Sequence, residues 1–496
     1  MNRRPFQVTM TIEIDDIVRR CGETMNPLGN RSVQVETAAS LSPRVACFTP
    51  LPPAKTGIAN YAAGFLPHLR NHFDLDVYVN QRRVECFPVT EKITVDHLVR
   101  FPARAAEYDL LLYEMGNSVE HAGIFELLMH YPGIVHLHDP VLHHFYLEFY
   151  FHRGRARDYA RKLRALHGRD GAIFARCVMS DFGGSLGYFE LAMREEVIRR
   201  SIGVVVHSHW AHRVLRRDFP SLPILRIEHP SFTHTLGETD GAGFRQRFGI
   251  PTDAFVVSSL GFATPAKRID KLLEALCFVR QEVPSVRLLI VGKLNPASRL
   301  EERAAALGVA DLMVATGYVE EGDLWNALAA SDLLVNLRFP TAGEASGPLM
   351  QALALGKPVV VTGIRQFLEL PDSICEKVPV GEREVPELVR VLVDLAKNPN
   401  RRRQMGAEGR KFAETQAAPE TAARALAAFA RALVPVSRLR LQQAIASIQA
   451  VRKRSTESLL GNPFRGLPPG ISRTELERAT GVAWIEGTDE ADSWKR

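Results

Sequence analysis

No apolar run in these 496 residues approaches the ~20 needed to cross a bilayer as a helix. The first residues, MNRRPFQVTMTIEIDD, lack the unbroken apolar core of a secretory signal, and Glu13, Asp15 and Asp16 follow almost at once. Cysteine is sparse: Cys21, Cys47, Cys86, Cys177, Cys277 and Cys375 are scattered, with no CxxC pair. That spacing argues against a disulfide framework and against a cysteine zinc site, and it suits reduced thiols. The G-x-G-x-x-G fingerprint of nicotinamide cofactors is missing, as is any internal repeat beyond an α/β rhythm. Together these absences lead to the expectation of a cytoplasmic protein, with the inner face of the membrane as a candidate place of work.

What is present is ordinary globular composition, 46% apolar and 24% charged, in a chain too long for one core. The net charge is +6 and the pI about 9.0. A basic surface of this kind suits a phosphorylated substrate, anionic lipid or nucleic acid, or serves solubility alone.

Residues 1–40 show no sustained period and carry the turn formers Asn26, Pro27, Gly29 and Asn30, as a loosely ordered leader would. From Val45 the chain alternates. VACF (45–48), LDVYV (75–79), DLLLY (109–113), GIVHLH (133–138), GVVVHS (203–208) and PILRIE (223–228) read as strands, with helices at 57–69 and 121–131 between them. A Pro/Gly-marked stretch, 230–252, reads as a linker. A second alternation follows, with strands at 254–261, 286–292, 311–316, 332–337 and 357–362 and helices at 269–279, 299–308, 384–397, 401–415 and 419–434. Repeated βαβ units predict parallel sheets covered on both faces. The expected fold is therefore α/β, with two facing Rossmann-like domains at 41–235 and 236–434 and a helical extension and tail at 435–496. Their ligand crevices lie at the carboxyl ends of the strands.

The segment RFPTAGEASGPLMQALALGKPVVVT (338–362) places Glu344 beside a small-residue corner that includes Ser346 and Gly347, then a helix pattern, then a β-branched run. Free N–H groups and the positive helix end make such a corner a seat for phosphate, and a neighbouring carboxylate can accept from sugar hydroxyls. In TPLPPAKTGIANY (49–61), Gly57 opens a helix where a Cβ would crowd an approaching diphosphate; an ordinary tight loop is the plainer reading. GFATPAKRID (261–270) sets Gly261, Lys267 and Arg268 at another strand-to-helix loop, with two cations placed against the helix dipole.

HLHDPVLHH (136–144) puts His138 and Asp139 just past a strand end. His136 and His138 lie one strand period apart, His143 and His144 point apart on a helix, and no Cys or Glu nearby completes a tetrahedral set. No metal is expected there. The basic-aromatic segment 145–169 fits an anionic acceptor, a membrane surface or a solvated helix face. No motif supports nucleic acid. A further basic-ended stretch, 438–454, has helical apolar spacing that suits packing across a domain boundary.

These motifs resemble the retaining glycosyltransferases of family 4, whose fold is called GT-B, over about residues 44–432. The resemblance implies transfer of a hexose from a nucleotide-diphosphate sugar to a glycan or lipid-linked acceptor in cell-surface polysaccharide or glycolipid synthesis, with no cofactor and no metal. It assigns His138 and Glu344 to the transferred sugar. It gives the donor Gly57, Gly261, Lys267, Arg268, Ser346, Gly347 and Gln351, and it puts Asp139 on the acceptor side.

Phe262 stands where the family usually carries Arg, and Gln351 where it carries a second Glu, while Glu344 lies one residue past the usual first Glu. The G-E-x-S-G corner looks like a branch of that family. These departures leave a second expectation, a catalytically silent GT-B protein that binds nucleotide or glycan.

Overall fold

A computed structural model describes residues 42–84, 93–184, 186–232 and 238–460. The expected leader, most of the tail, Cys21 and Cys86 lie outside the described residues.

The first sheet is built from β1 (Arg44–Phe48), β2 (Asp74–Val79), β3 (Thr94–His97), β4 (Leu110–Met115), β5 (Ile134–Leu137), β6 (Gly203–Val206) and β7 (Ile224–Arg226). All pairs are parallel, in the order β3-β2-β1-β4-β5-β6-β7. The second sheet holds β8 (Phe255–Leu260), β9 (Val286–Val291), β10 (Met313–Ala315), β11 (Leu333–Asn336), β12 (Val359–Thr362) and β13 (Cys375–Val378). Its order, β10-β9-β8-β11-β12-β13, repeats the same winding. Each sheet reverses direction beside its first strand, which opens a crevice at the carboxyl edge.

Period-two alternation explains the burial. Val257, Leu288, Ile290, Leu333 and Val335 enter the core on one face of the second sheet. Their neighbours Val256, Leu289, Val291 and Leu334 enter the core on the other.

Two strands escaped the sequence reading, β3 (TVDH) and β13 (CEKV). Both are sheet edges with polar, half-buried residues, so neither carries the apolar run that marks an interior strand. The linker segment also contains a short helix, Gly241–Arg247, capped by Asp240, whose carboxylate accepts from the Gly243 N–H at 2.7 Å.

The chain ends its second domain by returning to the first. Within the helix Pro419–Leu460, residues Ala422, Ala423, Leu426, Ala427, Phe429, Ala430 and Leu433 join the core built on Val45, Leu66 and Leu112. Gly203 leaves the room: a Cβ there would meet Leu433 at 2.7 Å and Phe429 at 3.0 Å. Residues 419–434, assigned from sequence to the second domain, therefore pack with the first. The break expected near 435 is absent too, because Leu433, Ser437 and Leu441 stay buried across Pro435 and packing outweighs the proline's helix-breaking tendency. Residues 443–460, the last described part of this helix, fall in a separate compact unit.

The two domains are also joined at Glu369, whose carboxylate accepts from the His209 N–H at 2.7 Å and from the Trp210 N–H. It thereby occupies the positive end of the helix His209–Asp218.

Candidate active site

Both crevices open into one cleft of about 2220 Å³. From the first domain it is lined by Lys55, Gly57, Asn117, His138 and Asp139, and from the second by Gly261, Phe262, Arg268, Lys293, Arg338, Glu344, Gly347 and Gln351. Of the residues singled out from sequence, only Ser346 and Lys267 do not line it.

Two helix N-termini face this space. Thr56 caps the helix Gly57–Leu69 by accepting from the Ala59 N–H at 3.0 Å, and Ser346 caps Gly347–Ala354 by accepting from the Leu349 N–H at 3.4 Å. The Ser346 hydroxyl also donates to Asn336 at 3.1 Å, so it holds the corner's shape and is not left over for a ligand. A Cβ added at Gly57 or at Gly347 would meet nothing within 4 Å. Neither glycine is demanded by packing, and each leaves a helix end open to the cleft.

Glu344 is held by neighbours from its own loop. Its carboxylate accepts from the Thr341 hydroxyl at 2.7 Å and lies 3.4 Å from the Arg338 guanidinium, while Gln366 donates to its backbone carbonyl at 2.9 Å. Gly343 makes the turn at φ 84°, with Trp210 where a Cβ would stand. Arg338 is half-buried, and its Nε has no partner. Arg338 heads the 338–362 segment singled out from sequence, which gave a role to Glu344, Ser346 and Gly347 and none to this cation.

The two cations of the 261–270 loop differ from expectation. Arg268 is committed to the buried Glu384, with Nε donating at 2.6 Å, and its guanidinium lies 5.7 Å from the Phe339 ring centre. It borders the cleft with its charge already paired. Lys267 curls under Gly261 and donates to the Leu260 carbonyl. Burial, with a smaller push from Arg338, holds its amine well below the ordinary lysine range, and Glu344 partly offsets this. Phe262 is 52% exposed in the cleft.

Across from Glu344, Asp139 accepts from the Asn117 N–H at 2.8 Å. Burial and then the charge of Glu344 push its carboxyl up to about 7, against smaller opposing effects of that N–H and of Arg338.

His138 is buried at the cleft floor and bonded through Nε2 to Glu114. Glu114 lies beside His136 in the β4–β5 register and bonds its Nδ1 at 3.2 Å. Burial alone would raise the Glu114 carboxyl, yet His136 and His138 outweigh it and hold it at about 2. His207, just past β6, joins this group, with ring centres 4.8 Å from His136 and 5.3 Å from His138. Burial drives His207 well below the usual histidine value, His229 to about 3 and His121 to about 4. The sequence argument that nothing completes a set around His136 and His138 fails for a topological reason: Glu114 and His207 arrive on the two neighbouring strands.

Residues 242–412 match the family described as Glycosyl transferases group 1. The chain is 30% identical over 177 residues to the MMP α-(1→4)-mannosyltransferase of Mycolicibacterium hassiacum, covering 35% of this chain and 42% of that protein. It is 28% identical over 256 residues to the GDP-mannose-dependent monoacylated α-(1-6)-phosphatidylinositol monomannoside mannosyltransferase of Corynebacterium glutamicum, covering 49% of this chain and 66% of that one. The matched part thus spans 42% and 66% of these relatives' own lengths.

Among solved structures, Anabaena HepE in complex with UDP aligns with a TM-score of 0.55 at 15% identity, over 78% of this chain and 98% of that one. WaaG, a glycosyltransferase involved in lipopolysaccharide biosynthesis, aligns with a TM-score of 0.53 at 15% identity, over 76% and 98%. The architecture is GT-B. Among the described residues no helix is long and apolar enough to cross a membrane.

Proposed function

We propose that this chain is a retaining glycosyltransferase that moves a hexose from a nucleotide-diphosphate sugar to a glycan or lipid-linked acceptor in cell-surface polysaccharide or glycolipid synthesis. The observation that carries this reading is the pair of open helix N-termini, at Gly57 and Gly347, facing one cleft beside Glu344. The relatives named above, both mannosyltransferases, support the reaction class.

In this reading the donor's diphosphate lies against the two helix ends, where N–H groups and dipoles favour an anion. Charge grows on the leaving phosphate as the bond to the anomeric carbon breaks, and fixed donors that meet this charge lower the barrier. Arg338 is well placed for that role, with a guanidinium nitrogen unpartnered and an ion pair to Glu344. Lys267 contributes once its amine leaves the Leu260 carbonyl and takes up a proton beside the phosphate charge. Glu344, fixed by Thr341 and Arg338, accepts from sugar hydroxyls. His138 faces the sugar from the other domain and is held in place by Glu114. The leaving phosphate takes the acceptor's proton, so no separate base is required of the protein, and no metal takes part in this transfer.

An acceptor bearing phosphate fits the first domain, where Arg157 and Arg164 are exposed on one helix and Arg169 is exposed just past the kink at Gly168. Contact of this basic face with an anionic membrane, at the cytoplasmic side, belongs to the same proposal.

The test is release of nucleoside diphosphate from a panel of nucleotide sugars, with Glu344→Ala and Lys267→Ala as controls. Turnover of one donor, falling at least ~100-fold in Glu344→Ala, is the expected result. Binding without turnover of any donor would instead mean a silent nucleotide-binding protein. Turnover unchanged in both variants would remove these residues from the site.

A further inference from the structure

The histidine group beneath the cleft has more unpartnered nitrogen than a structural cluster needs. His136 and His207 are buried; His136 Nε2 has no hydrogen-bond partner, and His207 has one weak contact, with the Ile227 backbone. An orphaned buried polar atom costs ~1–3 kcal/mol, so unsatisfied nitrogen on two neighbouring histidines calls for an occupant.

The arrangement has the form of a metal site. His136 and His138 are two residues apart at the end of β5, so both rings leave the same face, and His207 comes from the adjoining β6 end. One ligand atom from each of the three lies within 4.8 Å of the others. Tetrahedral ligands at ~2.1 Å from zinc stand ~3.4 Å apart, so small ring rotations would close the set. Glu114 supplies what a bare cluster lacks. It bonds His136 through Nδ1 and His138 through Nε2, which orients both rings and leaves the opposite nitrogen of each for an ion. His138 lines the cleft, which gives an entry path.

We propose that His136, His138 and His207 bind one divalent transition ion of the zinc class, oriented by Glu114. The ion pins the carboxyl ends of β5 and β6 to each other and fixes the His138 ring at the cleft floor, where with both nitrogens engaged the ring meets a sugar through its C–H edge. It is a positioning element, not a participant in glycosyl transfer, and the proposal does not depend on that reaction.

The full-length chain is stripped with chelator, dialysed and titrated with Co2+, reading the visible d–d bands of a low-symmetry site, then with Zn2+ in competition and by calorimetry. The expected result is one ion per chain, with Zn2+ displacing Co2+ and raising the melting temperature. His207→Gln abolishes the bands while keeping the wild-type circular dichroism, and Glu114→Gln weakens binding ~10–100-fold. His136→Gln provides the second ligand test. Absence of stoichiometric binding by the wild-type chain overturns the proposal. So does binding that persists unchanged in both His207→Gln and His136→Gln, which would place the ion elsewhere. A variant that fails to fold leaves the decision to the wild-type stoichiometry and the other variant.

Discussion

Asp139 and Glu344 set two carboxylates from different domains against one another, and the consequence is measurable without any substrate. The ordinary carboxyl value of Asp139, 3.8, rises to about 7 through burial first and the Glu344 charge second. Between those values the folded chain keeps a proton that the unfolded chain has released. The folded state therefore binds more protons, and stability falls as pH rises from about 4 to about 7, with the whole cost present above that window. At ~1.4 kcal/mol per pH unit the gap corresponds to about 4 kcal/mol if fully expressed. Asp139 is only half-buried by surface exposure, so solvent screening reduces this to about 1–2 kcal/mol.

Asp139→Asn removes the titration and can keep the Asn117 contact, because an amide oxygen accepts as a carboxylate does. Thermal melts of the wild type and Asp139→Asn should lie closer together at pH 5 than at pH 8. At pH 8 the variant should be the more stable by about 3–6 °C in its first transition, taking ~2–4 °C per kcal/mol for a domain of this size. Glu344→Gln should flatten the wild-type slope in part, since it removes the second cause. Parallel curves for the wild type and Asp139→Asn across this range would refute the assignment of a proton to Asp139 in the folded state.

Two further substitutions test the frame that holds the site. Gly343→Ala puts a Cβ 2.2 Å from the Trp210 ring at a φ of 84°; it should cost about 2–4 kcal/mol in denaturant unfolding and weaken nucleotide binding, because Glu344 is the next residue. Leu426→Ala empties a fully buried position in the returning helix. It should cost about 2–5 kcal/mol and lower the unfolding midpoint of the first domain, an outcome that a helix belonging only to the second domain would not give.

Periodicity in the sequence was strong wherever a strand is interior and covered on both faces, as in VRLLIVG and KPVVVT, and the helices at 57–69 and 384–397 match their residues end to end. It was weak at β3 and β13, where polar edge residues break the apolar run. The site divides in the same way. Gly57, Glu344 and Gly347 sit in local corners whose turn and cap residues are contiguous in the chain, so the sequence displays them together. Glu114 and His207 owe their place to strand order. No local pattern brings residue 114 beside 136, or 207 beside both. The commitment of Arg268 to Glu384, 116 residues away, was hidden for the same reason.

On the proposed reading, these features divide the labour in the cleft by charge. The helix ends at Gly57 and Gly347, with Arg338, form an electropositive half suited to a diphosphate, while Asp139 and Glu344 form an acid half suited to hydroxyl groups. Each half needs the other. An ionised Asp139 facing Glu344 resists closure of the domains, and a sugar whose hydroxyls donate to both carboxylates relieves that repulsion as it binds. A nucleoside diphosphate alone offers the electropositive half its partner and leaves the acid pair unrelieved. Binding of the diphosphate should therefore weaken as pH passes upward through about 7, while the intact nucleotide sugar should be held with less dependence on pH. On that reading the helix ends at Gly57 and Gly347 share the anion with Arg338. Backbone N–H groups supply positive potential without a titrating group of their own.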